Sequence, residues 1–228
     1  MKIGGFQGFS LIDYPGKISA IIFTQGCNFR CPFCHNQELV RPRRFNEPIS
    51  EGWVFDFLSE RKQFLDGVVV SGGEPTLQKD LIPFLGKIKK LGFCVKLDTN
   101  GSSPKVLQEV IANRLVDFIA MDVKAPWAKY NTLAGKNINL SHIKESIEMI
   151  AKSGLPHLFR TTCVKKYLTR SDFAEIWQML DKTPSYVMQP FVPSEKVLDK
   201  SLLEGNQYLD EEIRSFYLSL GTSLGVFK

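Results

Sequence analysis

Three cysteines and one histidine stand within ten residues of this sequence, in the segment CNFRCPFCHN that begins at Cys27. The spacing C-x3-C-x2-C is too crowded for disulfides among its members. In a reducing compartment such a group is typical of metal binding or redox chemistry rather than of a structural crosslink. We therefore predict that Cys27, Cys31 and Cys34 ligate a metal centre.

The number of thiols bears on the kind of metal centre. A structural zinc site closes a tetrahedron with four ligands at paired spacing, and His35 would have to fold back onto the metal held by its neighbour Cys34. A cubane iron-sulfur cluster has four irons, so three cysteines leave one iron without a protein ligand. The pattern favours such a cluster, with one corner open to a substrate or cofactor. A structural zinc protein or a ferredoxin-like electron carrier is the competing hypothesis.

The elements that position these residues follow from the apolar pattern. Short β-branched and apolar runs predict strands, and the amphipathic stretches between them predict helices. The predicted strands span 18–24, 67–71, 93–98, 116–123, 157–164 and 185–191. The predicted helices span 50–62, 80–92, 103–115, 140–154 and 171–182, with Ser50 as an N-cap and Pro104 in a first turn, and a last helical stretch at 210–221 has no assigned place.

Alternating strands and helices imply a parallel sheet with right-handed crossovers. Six such units are fewer than the eight of a closed barrel. We therefore predict the α/β class, as a partial (β/α)6 TIM-like barrel. Cys94 and Cys163 lie within predicted strands and are expected to be small hydrophobic residues there.

Length and composition fit one domain over 1–228, with an N-terminal extension at 1–17 and a cysteine loop at 25–40. The chain is 43% hydrophobic and carries a formal net charge of +5, and its basic residues are too scattered to indicate nucleic-acid binding. No apolar run approaches the roughly 20 residues that span a bilayer, and the N-terminus lacks a signal-peptide pattern. We expect a cytoplasmic protein that binds neither nucleic acid nor membrane.

Polar residues follow the predicted strands at their carboxyl ends, where parallel sheets carry their chemistry. SGGEP ends the second strand, LDTNG the third and MDVK the fourth. Asp98 and Asp122 would repel each other unless a cation lies between them. We expect a monovalent cation, or the amino group of a ligand, at that position. Turn formation and helix capping are the alternative explanation for Asp98 and Asn100.

The cysteine loop after the first strand, with Phe33 directly before the third cysteine and SGGEP one βα unit later, resembles the radical S-adenosylmethionine (SAM) superfamily. The resemblance implies a 4Fe-4S cluster on the three cysteines and SAM chelated to the fourth iron by its amino and carboxylate groups. An electron passed to the sulfonium then splits SAM into methionine and a 5′-deoxyadenosyl radical. That radical abstracts hydrogen from an unreactive C–H bond.

The resemblance also assigns cofactor-binding residues at the strand ends. Glu74 is expected to accept from the SAM ammonium, and its neighbouring glycines to let the backbone approach. Lys124 and Arg160 are expected to meet the SAM carboxylate, although a salt bridge to Asp122 or Glu74 would also satisfy Arg160. Phe33 is expected to face adenine, and Gln189, with Phe191, to contact adenine or ribose. The full set of expected cofactor-binding residues is Phe33, Gly72, Gly73, Glu74, Asp98, Thr99, Asp122, Lys124, Arg160 and Gln189.

A finer resemblance concerns the opening of the chain. The chain resembles the activating enzymes of glycyl-radical proteins in two motifs, D-Y-P-G before the first strand and C-H-N at the third cysteine. The longer segments SLIDYPGK and TQGCNFRCPFCHN resemble those of activators of anaerobic ribonucleoside-triphosphate reductases. This implies hydrogen abstraction from one glycine of a partner reductase, with a flavodoxin or ferredoxin-type reductant. The alternatives are activation of another glycyl-radical enzyme, such as pyruvate formate-lyase, and a small-molecule enzyme of the 7-carboxy-7-deazaguanine synthase type. The latter predicts an enclosed pocket beside SAM.

Overall fold

Seven strands form one sheet in the computed structural model, which describes residues 1–220. They are β1 (Ile3–Ser10), β2 (Ser19–Thr24), β3 (Gly67–Gly72), β4 (Cys94–Thr99), β5 (Phe118–Asp122), β6 (His157–Cys163) and β7 (Tyr186–Pro190), and they are ordered in the sheet as in the chain. Strands β2 to β7 are parallel, and β1 pairs antiparallel to β2. The six predicted strands and the partial (β/α)6 barrel are therefore confirmed.

Eight α-helices accompany the strands within residues 1–220. They are α1 (Gln37–Val40), α2 (Glu51–Glu60), α3 (Leu81–Lys90), α4 (Pro104–Ala112), α5 (Tyr130–Ala134), α6 (Leu140–Lys152), α7 (Arg170–Met179) and α8 (Asp210–Ser219). The side chain of Ser50 caps α2 as predicted, and Pro104 opens α4. No helix in the described part of the chain has the length and apolar composition needed to cross a membrane. The predicted end of the last helix at 221 and the end of the predicted domain at 228 lie outside the described residues.

The N-terminal segment contains a strand that the sequence pattern did not predict, since residues 3–10 of the 1–17 extension form an edge strand of the sheet. Three glycines in β1 lower its apparent strand propensity, and each lies where the backbone passes close to a side chain. A Cβ on Gly8, for example, would lie 2.6 Å from the ring of Phe57. Phe6 of the same strand packs edge-on against Trp53 and Phe57 of α2, with ring centroids 5.3 and 5.0 Å away.

The two faces of the sheet bury different sets of side chains. Alternate residues of the strands, such as Ile22, Val68 and Leu97, face the helices and form the main core. Their neighbours, such as Ile21 and Val69, lie in a smaller core on the inner face of the partial barrel. This period-two alternation also sends the polar residues near the carboxyl ends of the strands to the inner face.

The D-Y-P-G segment closes the inner face at the amino ends of the strands. Tyr14 is 3% exposed and packs in the inner core with Phe118, at 6.0 Å between ring centroids. A Cβ on Gly67 would lie 3.0 Å from the Tyr14 ring, so a side chain at the start of β3 would crowd that ring. The motif therefore lies at the end of the barrel opposite the cysteine loop.

The last helix, which had no predicted position, packs on the second edge of the sheet. The hydroxyl of Tyr217 in α8 accepts a hydrogen bond from the backbone N–H of Met188 in β7. Phe216 stacks between Phe173 of α7 and Tyr208, with ring centroids 5.3 and 5.2 Å away. The helix thus covers part of an edge strand that would otherwise expose unpaired backbone groups.

We predict that Tyr14→Ala lowers the free energy of unfolding by about 3–5 kcal/mol, because it removes the ring that fills the inner core. Tyr14→Phe keeps the ring and should change the free energy by less than about 1 kcal/mol. Chemical denaturation of both variants measures the difference. Equal stability of the alanine variant and the unsubstituted protein would contradict the role of Tyr14 as the closing residue.

Candidate active site

A pocket of about 630 Å³ lies at the carboxyl ends of the parallel strands. All three clustered cysteines line it, together with residues from the ends of β3 to β6. Of the predicted site residues, every one except Gln189 borders this pocket. The strand ends and the loop after β2 therefore come together as the sequence predicts.

The cysteine loop is held by hydrogen bonds within itself and to its surroundings. The backbone N–H of Cys34 donates to the Cys31 carbonyl at 3.0 Å, and the Phe29 N–H approaches the Cys27 sulfur at 3.3 Å. The Arg30 guanidinium donates to the Cys27 and Phe29 carbonyls, both at 2.6 Å. The loop is thus held by its own backbone and by the Arg30 side chain.

The donor set fits an iron-sulfur cluster. Burial raises the pKa of Cys27 to about 12 and of Cys31 to about 11 and also raises that of Cys34, so the metal-free protein holds these thiols protonated at neutral pH. Ligation by a metal would displace those protons. His35, the other candidate ligand, places its Nε2 2.7 Å from the Val192 carbonyl oxygen and does not line the pocket. No group of three Cys, His, Asp or Glu side chains within residues 1–220 is already arranged to hold a metal ion. Ligation of a cluster by Cys27, Cys31 and Cys34 therefore stays a prediction, and their number is the one that a cubane with one open iron requires.

The two glycines of SGGEP allow the cysteine loop to approach β3. A Cβ on Gly73 would lie 2.1 Å from the Gly26 carbonyl oxygen, and one on Gly72 would lie 2.2 Å from the Thr24 nitrogen. Gly72 also has a φ of +120°, which favours glycine. The backbone N–H groups of Gly73 and Glu74 donate to the carbonyls of Thr24 and Gly26 at 2.9 and 2.7 Å.

Glu74 is buried, and the protein itself supplies donors to both carboxylate oxygens. Its Oε1 accepts from the Thr76 N–H at 3.1 Å, the Thr76 hydroxyl at 2.5 Å and the Thr99 hydroxyl at 2.8 Å. Its Oε2 accepts from the Asn100 N–H at 2.7 Å. Burial raises the pKa of Glu74, against the effect of these hydrogen bonds. Glu74 therefore joins the ends of β3 and β4, and contact with a SAM ammonium stays a prediction.

A row of alternating charges crosses the inner face and forms part of the pocket wall. The Lys96 ammonium contacts Asp98 Oδ1, and Asp98 Oδ2 lies 3.4 Å from the Arg160 guanidinium. Arg160 Nε donates to Asp122 Oδ1 at 2.9 Å, and Lys124 donates to Asp122 Oδ2 at 3.0 Å. The guanidinium thus lies between the two carboxylates, where we expected an inorganic cation or a ligand amino group. An additional monovalent cation there stays a prediction.

The ion pairs around Asp122 shift the pKa values of Asp122, Lys124 and Arg160. Burial alone would raise the pKa of Asp122, but Arg160 and Lys124 hold it down at about 2. Burial opposes the charged forms of Lys124 and Arg160, whereas Asp122 raises the pKa of both. Arg160 pairs with Asp122, as the alternative prediction had it, and not with Glu74. Both cations still border the pocket, so the predicted contact with a SAM carboxylate remains open to them.

Two aromatic predictions have different outcomes. Phe33 borders the pocket, with the Lys124 ammonium 5.7 Å from its ring centroid. Phe191 is buried and packs against the His35 ring, so it does not line the pocket. Gln189 lies instead in a neighbouring groove that Phe33 and His35 also line.

Three polar residues at the site were missed as functional candidates. Asn100 donates to Asn28 Oδ1 at 3.0 Å and approaches the Cys27 sulfur at 3.9 Å, and Ser71 donates to Asp98 at 3.2 Å. The Lys96 ammonium donates a hydrogen bond to Asp98 Oδ1. The alternation of strand residues could have identified Lys96, because it lies two positions before Asp98 on the same face.

Comparison with known proteins agrees with this geometry. The Radical SAM superfamily profile matches residues 21–180. A candidate glycyl-radical enzyme activating enzyme from Methanocaldococcus jannaschii is 37% identical over 85% of this chain and 81% of that protein. The pyruvate formate-lyase-activating enzyme of Listeria monocytogenes is 35% identical over 54% of this chain and 53% of that enzyme. Streptococcus suis SuiB bound to S-adenosylmethionine shares the fold, with a TM-score of 0.65 at 13% identity over 86% of this chain and 44% of SuiB.

The thiol-lined pocket at the carboxyl end of a partial barrel is the site of the radical SAM class. The chain belongs to the radical SAM superfamily and, within it, to the glycyl-radical enzyme activating enzymes. It is therefore an enzyme of the oxidoreductase type, and its cofactors are a 4Fe-4S cluster and SAM.

We predict that Gly73→Ala displaces the cysteine loop, because the new methyl group would overlap the Gly26 carbonyl. The variant should lose most of its cluster absorbance after anaerobic reconstitution, and its free energy of unfolding should fall by about 1–3 kcal/mol. Gly86→Ala in α3 is the matched control, since its Cβ would meet no atom closer than 4.0 Å. That change should keep the cluster and stabilise the helix by about 0.5–1 kcal/mol. Full cluster content in Gly73→Ala would refute the steric argument.

We predict that Glu74→Ala is destabilising by about 3–5 kcal/mol, because it leaves several buried donors unpaired. Glu74→Gln keeps the shape and one acceptor oxygen, and it should cost less than the alanine change. Urea denaturation measures both. Glu109→Ala, at an exposed position of α4, should shift the free energy by less than about 0.5 kcal/mol. A Glu74→Ala protein as stable as this control would show that the hydrogen bonds contribute little.

Proposed function

We propose that this enzyme generates a glycyl radical on a partner protein and that the partner is an anaerobic ribonucleoside-triphosphate reductase. The observation that carries the proposal is the similarity to a glycyl-radical enzyme activating enzyme over most of both chains. The wording of the D-Y-P-G segment and the cysteine loop supports the choice of partner. When bound, the cluster supplies one electron for the reductive cleavage of SAM.

The overall reaction balances with one external electron. SAM, one electron and one glycine α-C–H bond give methionine, 5′-deoxyadenosine and a glycyl radical. The electron comes from a flavodoxin or ferredoxin-type reductant, and the α-hydrogen moves to the 5′-carbon. In this proposal Cys27, Cys31 and Cys34 hold the cluster, and the residues at the strand ends bind SAM.

The residues around the pocket support a division of roles. Phe33 offers a ring for adenine, and the cations Lys124 and Arg160 border the pocket where a carboxylate is to be held. Asp122 offsets the effect of burial on the pKa of both cations. Glu74 accepts a ligand ammonium only at its less occupied oxygen, Oε2, since Oε1 already has three donors.

A groove beside the pocket supports a protein substrate. About 940 Å³ of open space lies next to β7, lined by Phe33, His35, Thr162, Val187, Met188, Gln189, Pro190 and Val192. Val192 is 65% exposed at this groove. A radical intermediate must be shielded from solvent, so a bulky substrate that closes the groove suits this geometry. This groove is open, unlike the enclosed pocket expected for a small-molecule enzyme.

Activation of a pyruvate formate-lyase-type enzyme is the second candidate. The similarity to the Listeria enzyme supports this candidate, although it covers a shorter part of the chain. The name of the archaeal relative gives no partner and favours neither candidate. Both candidates use the same cofactors and the same reaction. They differ in the partner, and a direct test with each partner separates them.

We predict that reconstituted, dithionite-reduced enzyme forms 5′-deoxyadenosine from SAM and produces a glycyl doublet in electron paramagnetic resonance spectra of an anaerobic ribonucleotide reductase. A doublet on pyruvate formate-lyase alone would assign the second candidate. SAM cleavage without a doublet on either protein would reject both.

Matched cysteine variants control this experiment. Cys31→Ala should lose the cluster, the 5′-deoxyadenosine and the doublet together. Cys94→Ala removes a thiol from the inner face of β4, away from the pocket, and should keep all three signals. Cleavage activity in Cys31→Ala would contradict the assignment of the cluster ligands.

A further inference from the structure

The two inward-facing aspartates of the pocket pose an electrostatic problem. Asp98 and Asp122 lie on the neighbouring strands β4 and β5 and face the same pocket. Two carboxylates at such a site repel each other and become harder to ionise unless positive charge compensates them. A pocket built in this way needs a cation of its own or one taken from solution.

The protein supplies three cations to these two carboxylates. Arg160 contacts both, Lys124 contacts Asp122, and Lys96 contacts Asp98. Each of the two carboxylates therefore has two cationic partners before any ligand binds. Lys96 differs from the other members, because its side chain is only 3% exposed and does not border the pocket.

Lys96 acts on the pocket through Asp98. The Lys96 ammonium holds Oδ1 of Asp98, which leaves Oδ2 to accept from the Ser71 hydroxyl at 3.2 Å and the Arg160 guanidinium at 3.4 Å. Both oxygens of Asp98 are thus engaged, and the carboxylate cannot rotate without losing a partner. Arg160 is in turn held on its other side by Asp122 at 2.9 Å.

We propose that Lys96 is the built-in counter-cation of the SAM pocket: its buried ammonium fixes Asp98, Asp98 orients Arg160, and the pocket needs no inorganic cation between its two aspartates. Lys96 is a positioning residue, since it touches neither cluster nor SAM. The inference rests on the placement of SAM in the proposed function. It does not depend on the identity of the partner enzyme.

The test replaces Lys96 with methionine, which has a similar length and no charge, and compares potassium chloride with choline chloride at equal ionic strength. One readout is the thermal unfolding of the cluster-free protein. The other is the dissociation constant of SAM, from equilibrium dialysis with the reconstituted protein. Neither readout uses radical formation, so a failure of glycyl activation leaves this test intact, and a failure here leaves the proposed function intact.

We expect the unsubstituted protein to give the same Tm and the same SAM affinity in both salts. In choline chloride, Lys96→Met should melt roughly 6–15 °C lower, since it leaves a buried carboxylate without its partner. Its SAM affinity should fall at least about ten-fold, because Asp98 no longer orients Arg160. Potassium should restore much of both losses by occupying the vacated position. Lys96→Arg should behave like the unsubstituted protein.

Two further variants keep the test decisive. Lys89→Met breaks another lysine-aspartate pair, with Asp117 at 2.7 Å, and should leave SAM affinity unchanged in both salts. If Lys96→Met alone does not fold, the double change with Asp98→Asn removes both charges. This double variant should fold, and its Tm and SAM affinity should be the same in potassium chloride and choline chloride.

Three results would overturn the inference. The first is a potassium requirement for SAM binding in the unsubstituted protein, and the second is unchanged SAM affinity in Lys96→Met. The third is a loss of SAM affinity and Tm in Lys96→Met that has the same size in potassium chloride and choline chloride. That result would leave Lys96 with a purely structural role.

Discussion

The buried carboxylate of Glu74 connects the parts of the molecule that form the pocket. It joins the end of β3 to the Thr99 hydroxyl and the Asn100 N–H at the end of β4, while its own N–H donates to the cysteine loop at Gly26. Asn100 then reaches back to Asn28 in that loop. A buried acceptor with several donors cannot move without leaving a group unpaired. The positions of the cysteines relative to the strand ends are therefore set by one hydrogen-bonded unit.

Stability does not explain the row of five charges from Lys96 to Lys124. Replacing buried ion pairs by apolar residues of similar size is often neutral or stabilising, so an apolar inner face would serve the fold as well. The ligand gives a better reason. SAM carries an ammonium, a carboxylate and a sulfonium, and a pocket with fixed charges of both signs can orient such a molecule without rearranging. Because the charges alternate in sign along the row, each of the five groups has an oppositely charged neighbour before a ligand binds.

Sequence reasoning predicted the repeating strand-helix units and the residues at the strand ends, because both follow from local periodicity. It missed β1, since its glycines, such as Gly8 that makes room for the Phe57 ring, also look like loop residues. It placed Gln189 at the pocket, whereas the chain at the end of β7 directs it to the adjacent groove. The hydrogen bonding of Glu74 includes donors from Thr99 and Asn100 at the end of the next strand, which no local pattern in the sequence brings to Glu74.

The edge of the sheet at β7 bears on access to the pocket. At β7, the Tyr217 hydroxyl takes the Met188 N–H, and Pro190 has no N–H to offer, so a strand from another protein finds few backbone donors there. The groove next to this edge remains open and is lined by side chains on both walls. A visiting segment is therefore to be recognised through side chains and shape rather than by extending the sheet. Such recognition suits a loop that must present a single α-carbon toward the cysteine loop and then leave again.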